Sequence, residues 1–175
     1  MYTKGKSCLG KIRFFMDERG VKNVFKQSFL TICLVIYAFY AVGIERNYTA
    51  YPNPGLKANE IVSLQLLAMQ KNDVLNRGIE ITFRFASPKN KGQTGPLSRF
   101  IMLVKSPAYS PLLNHLDATF LNLKVEGNVA MQEVIITTST GVLKGFRFLL
   151  SLQQGEEFKD CWMTDAVVPF EIMEV

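Results

Sequence analysis

The chain has 175 residues, 48% of them apolar, with a formal net charge of +5. That length supports one domain of ordinary size plus short extras. Three cysteines, seven prolines and twelve glycines, with no low-complexity run, exclude a disulfide scaffold, a collagenous chain and a wholly disordered protein.

Residues 1–28 hold seven basic side chains (Lys4, Lys6, Lys11, Arg13, Arg19, Lys22, Lys26) against Asp17 and Glu18. The remainder holds 13 basic and 13 acidic residues and is neutral. A nucleic-acid-binding domain needs its basic excess on the folded part that docks on phosphates, so no nucleic-acid partner is expected. The excess instead abuts the uncharged run 29–44 (FLTICLVIYAFYAVGI), the arrangement of a membrane-directing segment. Counted from Val24 to Ile44, with Lys26 snorkelling, a tilted helix of about 1.5 Å per residue reaches across the hydrocarbon. The expectation is a single-pass anchor, with 1–28 cytoplasmic and the C-terminal part on the other side. A cleaved signal is the alternative, because Ala41-Val42-Gly43 offers small residues at a peptidase site, and Met16 is an alternative start to Met1 that gives a shorter n-region. A soluble-core helix is the third reading.

Residues 45–57 (ERNYTAYPNPGLK) carry Pro52, Asn53, Pro54 and Gly55 without any period, and read as a linker. The Asn47-Tyr48-Thr49 sequon lies too close to the apolar run to count as a glycosylation site. The folded domain is expected over 58–175. Ile61, Leu64, Leu67 and Ala68 predict a first helix with Asn59 as cap and Glu60 in its first turn. Ile79, Phe83 and Ala86 predict a second, preferred over a strand. Ser87-Pro88 and residues 89–93 read as a loop, and Thr94 as the cap of a third helix bearing Leu97, Phe100, Ile101 and Val104, ended before Pro107.

Beyond Pro111 the period falls to two, and strands are expected over 118–126, 130–139, 145–152 and 161–170. The turns between them are Gly127-Asn128, Thr140-Gly141 and the longer loop 153–160. The whole is an α+β domain: three N-terminal helices packed on a curved four-stranded antiparallel sheet, cone-like, with a cavity inside.

Several segments together carry a family resemblance: Gly95-Pro96-Leu97 with Arg99-Phe100; Tyr109-x-Pro111-Leu112-Leu113-x-His115; Cys161-Trp162-Met163-Thr164-Asp165; and a first helix running past Ala68 to Asn72-Asp73. Over about residues 58–170 the chain resembles domain-of-unknown-function family 4864. That resemblance implies a fold similar to the nuclear-transport-factor-2-like α+β cone and implies no activity.

His115 is the single histidine, which argues against a multi-histidine metal site, and no cofactor is expected. Cys161 beside Trp162 reads as a buried structural thiol. No phosphate-binding glycine loop and no nucleophile elbow is present. His115, Asp165 and Tyr109, with Arg84 as a fourth member, form the candidate catalytic constellation: an acid–base pair and a phenol that could stabilise an oxyanion. Against it, Asp165 reads as a hydrogen-bond partner of loop amides and His115 as a latch between the third helix and the first strand. Phe83, Phe100, Trp162 and Arg84 are the residues expected to line a ligand cavity. The leading functional expectation is non-catalytic binding of a small apolar ligand or a partner protein, and the alternative is a cone-type isomerase or lyase.

Overall fold

The computed structural model describes residues 49–172. The basic segment, the apolar run 29–44 and the Asn47-Tyr48 pair lie outside them. Among the described residues no helix is long and apolar enough to cross a membrane.

Residues 49–57 form neither helix nor strand, but they lie against the domain. Ala50 and Leu56 pack on the core, and the Arg84 guanidinium sits 4.8 Å from the Tyr51 ring centre. An Asx turn at Asn53, whose Oδ1 accepts the Gly55 N–H at 3.1 Å, then leads into the first helix.

That helix, α1 (Ala58–Gln70), buries Ile61, Val62, Gln65, Leu66, Ala68 and Met69. Its inward stripe is therefore rotated from the expected one: Leu64 and Leu67 sit on its margin, and polar Gln65 lies at its centre. The cap is Lys57, not Asn59. The Glu60 carboxylate accepts the Lys57 N–H at 2.7 Å, one half of a capping box.

Helix α2 (Arg77–Arg84) crosses α1 at Gly78. A Cβ there would lie 2.1 Å from the Ala68 carbonyl oxygen, so only glycine lets the two backbones meet. The expected loop 88–94 is instead a helix, α3 (Pro88–Thr94), capped by Ser87, whose Oγ accepts the Asn90 N–H at 3.2 Å. Serine at the cap followed by proline in the first turn outweighs the weak helix preference of Lys-Asn-Lys-Gly-Gln. Thr94 consequently ends α3 instead of starting the next helix, and Pro96 precedes α4 (Leu97–Val104).

A short 3-10 turn at Ser110–Leu112 leads to the sheet. Its strands are β1 (Asp117–Glu126), β2 (Val129–Thr137), β3 (Leu143–Leu152) and β4 (Trp162–Phe170), in spatial order β1-β2-β3-β4 and antiparallel throughout. Gly127 adopts φ 57 in the two-residue turn between β1 and β2, where a side chain would be strained. Alternate residues face the helices: Val134 and Ile136 of β2 and Phe146, Phe148 and Leu150 of β3 form the centre of the core with Ile61, Val62 and Ile79.

Two irregularities interrupt the ladder. In β1 the register shifts between Phe120 and Leu123, and the Gln132 side chain donates to the freed Leu121 carbonyl at 2.7 Å. In β4 the shift leaves Leu150 opposite Thr164 and Leu149 opposite Ala166, so that Asp165 is the extra residue of a bulge. The chain at 85–87 lies alongside β4 as a short parallel bridge, Ala86 opposite Thr164. β1 forms the other side of the sheet, with Phe120, Leu121, Leu123 and Val125 all exposed.

Candidate functional site

Thr164 organises the corner where α1, α2, α3 and β4 meet. Its N–H donates to the Phe85 carbonyl at 2.9 Å, and its carbonyl accepts the Ser87 N–H at 2.9 Å and the Asn90 side-chain amide at 3.0 Å. Its hydroxyl donates to Gln65 Oε1 at 2.7 Å. Gln65 in turn donates to the Thr82 carbonyl at 3.1 Å, and the Thr82 hydroxyl donates to the Gly78 carbonyl at 3.0 Å. Thr94 adds a bond from its hydroxyl to Asn90 Oδ1 at 3.1 Å. Gln65, Thr82, Ser87, Asn90 and Thr164 are all buried, and among the described residues no buried side-chain nitrogen or oxygen lacks a partner. Satisfied in this way, the network costs little in desolvation and fixes the corner in one arrangement.

Above this polar floor opens a cleft of about 140 Å³. Phe100, Leu103 and Val104 of α4, with Leu112, supply an apolar wall; Tyr109 and Val167 close one end; Asp165 stands at the rim. The Tyr109 hydroxyl donates to the Val167 carbonyl at 3.1 Å. A second, wider cleft of about 550 Å³ runs between Lys89 and Gln93 of α3 and the cross-strand row Lys124, Met131, Leu149 and Ala166, with Glu126 also on its wall. Gln93, Asp165 and Ala166 belong to both clefts.

Asp165 does not satisfy loop amides, as its neighbourhood in the sequence suggests. The strand residue that does so is Thr164, through its backbone. The Asp165 carboxylate is half-buried and enters no hydrogen bond or ion pair among the described residues. The bulge is the reason: an unpaired residue is turned out of the ladder, and its side chain is re-aimed toward the clefts.

Of the other expected site residues, Tyr109 and Phe100 reach the smaller cleft and the rest line neither. His115 is buried in the turn before β1, its Nδ1 donating to the Leu112 carbonyl at 2.8 Å; Nδ1 carries the hydrogen because a carbonyl can only accept. The structure therefore does not bring His115 and Asp165 to one cleft. Arg84 pairs with Glu80 at 2.8 Å and covers Tyr51. Phe83 packs on Phe100, with ring centres 4.9 Å apart, and Trp162, opposite Leu152 on β3, is half-buried against the core.

Cys161 is buried and free, and burial pushes its thiol up, with the Asp160 charge adding to the effect. Lys91 is lowered by burial, partly offset by Glu157; its ammonium donates to the Arg84 carbonyl at 3.1 Å and sits 5.1 Å from the Phe158 ring centre. Among the described residues no group of three or more His, Cys, Asp or Glu side chains could hold a metal ion.

The residues missed in the sequence, Gln65, Asn90 and Thr94, are polar positions within helices, where composition gives no hint of a cleft. One signal was available: Gln65 stands at the centre of the buried stripe of α1.

The architecture defines an α+β domain with its helices packed on an antiparallel meander and a cleft at the bulge of its last strand. The chain belongs to the family Domain of unknown function (DUF4864), whose model matches residues 54–169. No curated protein and no solved structure matches the chain.

Proposed function

We propose that this domain is a non-catalytic binding module for a small apolar ligand, seated in the cleft between α4 and β4. The observation that supports this is the state of the floor: Gln65, Thr82, Asn90, Thr94 and Thr164 are all engaged in hydrogen bonds, within the group or to the Gly78 carbonyl. Groups so engaged are poor reagents but good scaffolding, and the wall left for a ligand is Phe100, Leu103, Val104 and Leu112. The acid–base pair needed for an isomerase or lyase is not assembled, since His115 points its Nδ1 at Leu112 and lines neither cleft. The cone-like reading of the fold, which the family resemblance suggests, belongs to the same proposal.

We place the domain outside the cytoplasm, tethered through residues 29–44, on the strength of the basic 1–28 segment and the apolar run beside it. Mass spectrometry of small molecules carried through purification of the full chain tests the binding reading. An apolar molecule retained by the native chain and lost from Leu103→Trp, which fills the cleft, is the expected result; retention by both rejects it. Alkaline carbonate washing of membranes from cells expressing the full chain tests the tether, and release of intact protein into the wash rejects it.

A further inference from the structure

We infer that the ligand of the α4–β4 cleft carries a cationic amine on a small apolar body, and that Asp165 is the group that recognises it. The inference rests on the cleft being a binding site, and adds to that reading the chemical class of what is bound.

Unused hydrogen-bonding capacity and charge at the cleft define what a ligand must bring. The floor is held by bonds within it: Thr164 to Gln65, Gln65 to Thr82, Thr82 to Gly78, Asn90 to Thr164 and Thr94 to Asn90. Tyr109 has one hydroxyl hydrogen, and it goes to the Val167 carbonyl, which leaves that oxygen able only to accept. An ionised carboxylate likewise only accepts, and that of Asp165 has no partner among the described residues. Gln93, on the same cleft, both donates and accepts and is neutral, so the charge offered among the described lining residues is that of Asp165, which a ligand meets by donating. An ammonium group does so with three hydrogens and the opposite charge.

Two further features agree. Lys89 and Lys124 share the wider cleft with Asp165, but among the described residues Asp165 is the one charged side chain on the walls of the smaller cleft. The volume of about 140 Å³ matches an apolar body the size of one aromatic ring, since cavities of about 150 Å³ hold benzene.

Toluene, benzylamine and benzoate, titrated calorimetrically into the full chain and into Asp165→Asn, test the inference. Benzylamine is expected to bind on the order of tenfold to a hundredfold tighter than toluene, with benzoate weakest, because a charge-assisted hydrogen bond is added in one case and a repulsion in the other. Asp165→Asn should bring benzylamine down to the level of toluene and leave toluene unchanged. Asp165→Ser provides the same comparison if the asparagine variant is poorly folded. If toluene binds but benzylamine gains nothing over it, or the gain survives loss of the carboxylate, the amine inference is overturned and the apolar cleft stands. If none of the three binds, the cleft reading itself falls.

Discussion

The centre of the sheet and the corner around Thr164 are equally buried and are held by different forces. At the centre, Val134, Ile136, Phe146 and Phe148 meet α1 and α2 without a polar side-chain atom among them, and the stabilisation is loss of water from apolar area, which has no direction. At the corner, Gln65, Thr82, Ser87, Asn90 and Thr164 are joined by hydrogen bonds, which do have direction. The first region accepts exchange of one hydrophobic shape for another of the same volume. The second fixes where atoms stand, as a cleft wall and an outward carboxylate require.

Four substitutions would break or sharpen that contrast, each measured as a shift of the urea unfolding midpoint of the full chain. Phe148→Ala should be the most costly, about 3–5 kcal/mol, because a fully buried ring leaves a cavity that the sheet cannot close. A loss below about 1 kcal/mol would mean that the centre is not held by packing. Thr164→Val keeps the shape and removes the hydroxyl, stranding Gln65 Oε1 in the interior at a cost of about 1–3 kcal/mol, and Thr164→Ser should restore most of it. Equal midpoints for the valine and serine variants would show that the corner is held by shape alone. Ser87→Ala, which strips the cap from α3, should cost about 1 kcal/mol. Asp165→Asn comes last, within about 0.5 kcal/mol of the native chain, because no folded-state bond is lost. A drop of more than about 1 kcal/mol there would draw Asp165 into the structural network and remove the distinction from Thr164.

How much of this was legible in the sequence depends on how local each cause is. Strand positions follow from the period-two pattern and the Gly127 turn, and the four expected runs fall on the observed strands to within about two residues at most ends. Helix α3 carries its sequence signal in Ser87-Pro88 alone, because the run that follows has no apolar stripe to read. The rotation of the α1 stripe was hidden because Gln65 is buried by a partner 99 residues away, Thr164, and no window along the chain contains both. The bulge at Asp165 has no glycine or proline to announce it. It arises from the 85–87 segment pinning Thr164 on one side while β3 sets the register on the other. Asp165, Tyr109 and Phe100 stand out by residue type and reach the cleft; His115, Arg84, Phe83 and Trp162 share that character and are used elsewhere.

The pairing of residues 85–87 with β4 also gives the sheet a handed boundary for growth. On that side the outward amide and carbonyl of Thr164 are already taken, and Tyr109 occupies the Val167 carbonyl, so an incoming strand finds those docking points used. On the other side β1, ten residues long and paired with β2, has no further strand beside it among the described residues, and carries exposed Phe120, Leu121, Leu123 and Val125. Among the described residues the two edges therefore differ: the β4 edge has part of its outward hydrogen-bonding capacity already used, and the β1 edge has no strand beside it.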